Sequence, residues 1–169
     1  MSAPLAVVIG VGNEYRCDDG VGAAVIERLG QCDLPGVRLV IADGEPSQLI
    51  DAWSDVELAV VVDAVLCEPC TPGRVHRTTL DTLVTDHRSA STHALGIPDA
   101  VRLAEALGRG PRRLVVFAVE AADLGFGLGL SPEVERSVAS VADAVLAELR
   151  PVAGSEGIEI AARPEETTP

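Results

Sequence analysis

The chain has 169 residues, 47% of them hydrophobic but only 2% aromatic, and sets 26 Asp and Glu against 13 Arg and no Lys, for a formal net charge of -13. Such a length with an aliphatic core suits one domain, and the charge disfavours nucleic acid or an anionic membrane as partner, because both are held by clustered cations. The missing lysines exclude Schiff-base chemistry and the phosphate-binding lysine of a Walker-type loop.

The opening "MSAPLAVVIGVG" has neither a cationic stretch nor a small-residue cleavage pattern, so it reads as a first strand, Leu5 to Gly10, rather than a secretory signal. The Gly-rich turn "GVGNEYRCDDGVG" leads into a helical pattern with Val21, Val25 and Leu29 four apart and Asp18 and Asp19 at its positive end. A second strand, Val37 to Asp43, precedes the helical "EPSQLIDAWS", with Pro in its first turn; a third strand runs from Glu57 to Val65. From Leu66 to Leu95 the pattern breaks into a long polar connection with an extra strand around Gly73 to Thr79. A helix from near Pro98, a strand from Arg113 to Glu120 and a last helix opened by Ser131, Pro132 and Glu133 complete the order.

The strand runs are continuous in Val, Leu and Ile, as in strands covered on both faces. Their alternation with helices predicts an α/β fold: a three-layer sandwich with a mostly parallel, about five-stranded twisted sheet over residues 1–150. Residues 151–169, rich in Pro, Gly, Glu and Thr, are expected to form a mobile tail with one short strand near Ile158 to Ala161. No apolar stretch approaches the roughly 18 to 20 residues that span a bilayer. The four cysteines, Cys17, Cys32, Cys67 and Cys70, are too few for a disulfide scaffold. A reducing, cytoplasmic setting without membrane insertion is the expectation.

Ligands of an open parallel sheet bind beyond the carboxyl ends of its strands, and here each strand delivers an acid: Glu14, Asp18 and Asp19 after the first, Asp43 after the second, Asp63 in the third and Glu120 at the fourth. For Asp18 and Asp19 the leading reading is structural, as carboxylates at a helix start. Asp63 is different. It interrupts an apolar run that continues beyond it, and a buried carboxylate is costly unless paired or metal-bound. His93, in "STHALG", stands in the loop leading to the same rim, whereas His76 and His87 read as structural or solvated. Glu14, Asp63 and His93 together offer two carboxylates and an imidazole to a borderline divalent cation, with positions left open for a guest ligand.

Competing motifs fare worse. In a dinucleotide fingerprint counted from Gly10 the third glycine would fall where Tyr15 stands, and acidic groups crowd the place of a pyrophosphate. There is no Gly-x-Ser-x-Gly elbow, and Cys17 is flanked by two aspartates that oppose thiolate formation. "CEPC", Cys67 to Cys70, has the spacing of a zinc half-site or redox pair but lacks a second cysteine pair, so a free-thiol or structural role weighs more.

In order and spacing, "GVGNEYRCDDGVG", "DGEPSQL", "VVVDAV", "STHALG" and "AVEAADLGFGLGLSPEVERSV" resemble the hydrogenase maturation endopeptidases, over Ala6 to about Leu149. The resemblance implies an enzyme that removes a C-terminal extension from the precursor of a nickel-iron hydrogenase large subunit after nickel insertion. It implies that Glu14, Asp63 and His93 recognise nickel carried by that substrate rather than held permanently, and that Asp43 is associated with activity. Where the family usually has Asp-Gly-Gly-Thr, this chain has Asp43, Gly44, Glu45 and Pro46, adding a charge and a fixed φ. Two alternatives remain at this level: a non-catalytic nickel-binding maturation chaperone, and a Rossmann-like enzyme for a small cationic substrate.

Overall fold

Uninterrupted aliphatic runs become the central strands of a computed structural model that describes residues 4–85 and 96–154. The elements are β1 (Ala6–Val11), α1 (Val21–Leu29), β2 (Val37–Ala42), α2 (Pro46–Trp53), β3 (Leu58–Val65), β4 (Val75–Thr79), α3 (Leu80–Thr85), α4 (Gly96–Leu107), β5 (Arg113–Glu120) and α5 (Pro132–Gly154), with a 3-10 turn at Cys17–Gly20. The sheet order is β2-β1-β3-β5-β4, parallel except for β4, which pairs antiparallel to β5. This is the expected five-stranded, mostly parallel α/β sandwich.

Alternation along the strands feeds two cores. Val8, Leu58, Val60, Val62, Val115 and Phe117 pack under α1 and α5; Val7, Ile9, Ala59, Val61, Leu114 and Val116 pack under α2 and α4. β1, β3 and β5 are buried almost throughout, as their composition requires. β2 departs from the expectation: it is an edge strand, is only partly covered, and leaves Ile41 58% exposed. Among the described residues no helix is long and apolar enough to cross a membrane.

Other boundaries differ for local reasons. α3 lies within what the sequence suggests is a polar connection, α4 starts two residues ahead of Pro98, and α5 continues past Arg150 with Pro151 inside it. α5 is tied to the sheet at Glu148, which accepts from Arg77 of β4 (2.6 Å) and from Arg113 of β5. Those two guanidiniums hold the Glu148 carboxyl below the usual range. The expected short strand at Ile158–Ala161, together with His87 and His93, lies outside the described residues.

Two glycines let α1 sit directly on β1. A Cβ at Gly22 would stand 2.7 Å from both the amide nitrogen and the carbonyl oxygen of Val11, and one at Gly10 would stand 2.4 Å from the Gly22 carbonyl oxygen. Helix propensity alone favours Ala at Gly22 by about 1 kcal/mol, but two backbones with no room to give reverse the sign. Gly22→Ala is expected to destabilise by about 1–3 kcal/mol, read as a lower denaturation midpoint in urea at unchanged slope.

Candidate active site

The sheet order reverses between β1 and β3, because β1 leads outward to β2 while β3 starts the opposite side. Crevices at such reversals, beyond the strands' carboxyl ends, are where open α/β sheets hold ligands. β1 pairs with β3 only as far as Gly10 with Val62, so Asp63 is the first β3 residue beyond that pairing. Side-chain alternation puts Asp63 on the face of β3 shared by Ala59 and Val61, toward the α2/α4 layer.

Asp63 is 1% exposed, and neither carboxylate oxygen has a hydrogen-bond partner among the described residues. Burial, reinforced by the nearby Asp19 carboxylate, raises its pKa from 3.8 to about 7; the adjacent Ala64 amide offsets little, because it falls short of hydrogen-bond geometry. A buried carboxylate left this way is strained toward acquiring a cation or a proton.

The loop after β1 supplies the second acid. Gly12 turns the chain at φ +128, where a Cβ would lie 2.0 Å from the Asp19 carbonyl oxygen, and Asp19 Oδ2 accepts the Asn13 amide at 3.0 Å. Asn13 Oδ1 accepts the Tyr15 amide at 2.9 Å, so the strand-to-helix turn is stitched by its own polar side chains and leaves Glu14 exposed between them. The 3-10 turn lies close to both acids: Asp19 acts electrostatically on Asp63, and a Cβ at Gly20 would lie 3.1 Å from Glu14 Cα. Glu14 also borders a groove of about 430 Å³ whose walls include Ala23, Ala24, Ile41 and Leu128; neither Asp63 nor Asp43 lines it.

Asp43 follows β2 and is exposed. Its Oδ1 accepts the Glu45 amide at 3.0 Å and its own amide donates to Gln48 Oε1 at 3.2 Å, a turn that launches α2 with Glu45 as N-cap and Pro46 in the first turn. Gly44 has φ +94, and its carbonyl oxygen would be 2.8 Å from a Cβ at Gly96. The first residue of α4 thus abuts the Asp43 turn. Glu14, Asp43 and Asp63 therefore share one rim of the sheet, while His93, the remaining expected ligand, falls outside the described residues.

Asp18 has a role that adjacency in sequence could not reveal. It is fully buried and bonded to a loop remote in sequence. Its Oδ2 accepts the amides of Ala122 (2.8 Å) and Asp123 (3.1 Å) and the Ser131 hydroxyl (3.0 Å), and its Oδ1 accepts the Ser131 amide (2.6 Å). The expected capping hydroxyl of α5 is thus turned to Asp18. Backbone bonds from Cys17 to Gly127, from Gly127 to Tyr15 and from Asp18 to Asp123 close the same seam. Above it Tyr15, Phe126 and Leu128 stand exposed, Phe126 at 96%.

A model of the hydrogenase maturation protease family matches residues 23–148. The hydrogenase 2 maturation protease of Escherichia coli (strain K12) is 27% identical over 149 residues, covering 85% of this chain and 90% of its own length. Among solved structures, the hydrogenase maturating endopeptidase HybD from E. coli superposes with a TM-score of 0.79 at 25% identity, over 94% of this chain and 97% of that one. A hydrogenase 2 maturation peptidase from Thaumarchaeota archaeon SCGC_AB-539-E09 does so at 0.64 and 27% identity, over 85% and 97%. The family match and these relatives define the class, a peptidase, here a hydrolase built on a doubly covered α/β sheet. The chain belongs to the hydrogenase maturation protease family.

Proposed function

We propose that this protein cleaves the C-terminal extension from the precursor of a nickel-iron hydrogenase large subunit once nickel has been inserted, recognising the substrate's nickel through Glu14, Asp63 and His93. The observation that carries this reading is Asp63: a carboxylate 1% exposed, without a hydrogen-bond partner among the described residues, at the sheet's reversal point. Glu14 lies on the loop after β1, at the same rim of the sheet, and His93 stands three residues ahead of Gly96, whose backbone abuts the Asp43 turn. Two carboxylates and an imidazole suit a borderline divalent ion that already has thiolate ligands from its own polypeptide.

In this reading the substrate's metal is the address label, and the scissile bond is positioned by it. Asp43 is the group that orients and deprotonates water: one oxygen is engaged by the Glu45 amide, which fixes the carboxylate plane. Water's oxygen bonds to the carbonyl carbon, its proton passes through Asp43 to the departing amine, and the C–N bond breaks. Because the peptidase lacks part of its recognition chemistry until a nickel-loaded precursor arrives, ordinary peptides are spared.

Mass spectrometry of a nickel-loaded precursor incubated with a substoichiometric amount of this protein tests the reading. Each precursor is expected to lose one C-terminal peptide over many turnovers, and Glu14→Ala and His93→Ala are each expected to slow processing roughly a hundredfold or more without lowering thermal stability. A precursor of unchanged mass with nickel transferred to this protein would instead identify a carrier and overturn the proposal.

A further inference from the structure

Around the rim from Asp63, another group of metal-ligand side chains converges. Cys67 follows β3, His76 is in β4 and Glu120 ends β5; one ligand atom from each lies within 4.8 Å of the others. The group is built into the backbone. Glu120 donates its amide to the Arg74 carbonyl (2.8 Å) and accepts the Gly73 amide on its own carbonyl (2.8 Å), which clips the β3–β4 turn to β5. Its carboxylate, 1% exposed, accepts the Thr71 amide on Oε2 at 2.5 Å and meets His76 Nε2 through Oε1 at 2.7 Å. Cys70, on the same turn, donates its thiol to the Ala121 carbonyl at 3.2 Å, one residue beyond Glu120.

We propose that Cys67, Cys70, His76 and Glu120 form a four-coordinate site for a zinc-class divalent cation. Two thiolates, an imidazole and a carboxylate are a tetrahedral donor set for that ion, and Cys-x-x-Cys is the spacing at which two sulfurs of one turn share a metal. Glu120 Oε1 and His76 Nε2 already touch, so a cation between them needs only about half an ångström of separation. Oε2 stays on the Thr71 amide, the kind of outer contact that fixes a ligand's orientation. Cys70 reaches the ion by turning its thiol away from Ala121. Three anionic ligands leave one negative charge in excess on a dication, and Arg74, with Nε 3.9 Å from Glu120 Oε1, is placed to balance it. With all four ligands from protein the site is closed, and its work is to lock the β3–β4 turn onto β5 beside the candidate active site.

The full chain, stripped with a chelator, is titrated with Co²⁺ as a spectroscopic substitute and with Zn²⁺ for affinity. One equivalent of Co²⁺ is expected to bring a thiolate-to-metal charge-transfer band and the intense visible absorption of a tetrahedral centre, both reversed by Zn²⁺. Cys67→Ser and Cys70→Ser each lose much of the charge-transfer intensity, and His76→Ala weakens binding roughly tenfold or more; Glu14→Ala and Asp63→Asn leave the spectrum unchanged. Because His76 and Cys70 are exposed, their variants test the site without removing core packing. Absence of the thiolate band in the wild-type chain, or a band that survives Cys67→Ser and Cys70→Ser together, overturns the proposal.

Discussion

Asp63→Asn is expected to abolish precursor processing and, above pH 7, to raise the thermal midpoint of the protein. The two effects have one origin. Burial and Asp19 lift the Asp63 pKa from 3.8 to about 7. For an acid with a raised folded-state pKa, the unfolded chain ionises first, so between about pH 3.8 and pH 7 unfolding releases a proton and stability falls as pH rises. Below that window both states are protonated and nothing is lost; above it the folded protein carries the full penalty, on the order of a few kcal/mol. Asparagine cannot ionise, so the variant loses that slope while its amide keeps the size of the side chain. Part of the gain is offset, since the amide also requires partners in a place that offers few. A net rise of several degrees at pH 8, shrinking toward pH 5, is expected for a chain of this length, at about 2–4 °C per kcal/mol. Thermal unfolding of both proteins across pH 5 to 8 checks it, alongside processing of the nickel-loaded precursor. A midpoint difference that does not change with pH would mean Asp63 is already neutralised by a partner in the folded protein. A stabilised but inactive variant is the signature of a residue kept for chemistry at the expense of the fold.

Asp63 was legible in the sequence for the same reason that it is unstable: a charge inside "VVVDAV" has no solvent-facing side on which to sit. β1, β3 and β5 were legible because continuous aliphatic runs suit strands buried on both faces. β2 is nearly as aliphatic, with Arg38 inside the run, yet lies at an edge, because coverage is decided by strand order, which composition does not encode. Asp18 and Asp19 are neighbours before a helix and invite one interpretation, but their partners diverge: Asp19 holds the Asn13 amide, while Asp18 reaches donors 104 to 113 residues away. Local spacing contains no trace of that. The Cys67, His76 and Glu120 group was hidden similarly, since only the antiparallel return of β4 beside β5 sets His76, paired with Ala118, next to the end of that strand. "CEPC" was the visible fragment, and the residues that complete it stand on two other strands.

Asp18→Ala is expected to be the most destabilising single substitution at this rim that leaves the apolar core untouched. Four donors converge on a carboxylate with no solvent exposure: the amides of Ala122, Asp123 and Ser131, and the Ser131 hydroxyl. Removing the acceptor strands all of them, and each buried donor left alone costs about 1–3 kcal/mol, reduced where water enters the space vacated. A loss of roughly 3–5 kcal/mol follows, lowering the thermal midpoint by about 10 °C or more. Ser131→Ala calibrates the scale, because it removes one donor and leaves the other three satisfied; its cost is expected near 1 kcal/mol. The same clamp holds the 122–131 loop against the Glu14 loop through the Cys17–Gly127 and Gly127–Tyr15 backbone bonds. Its release therefore disturbs function before the whole protein unfolds. Limited proteolysis of Asp18→Ala at a temperature where its sheet remains intact is expected to cut near the exposed Phe126, with processing lost in parallel. Resistance at that loop, with a midpoint within a degree of the unsubstituted protein, would show that the clamp contributes nothing and that the backbone seam alone aligns the two loops.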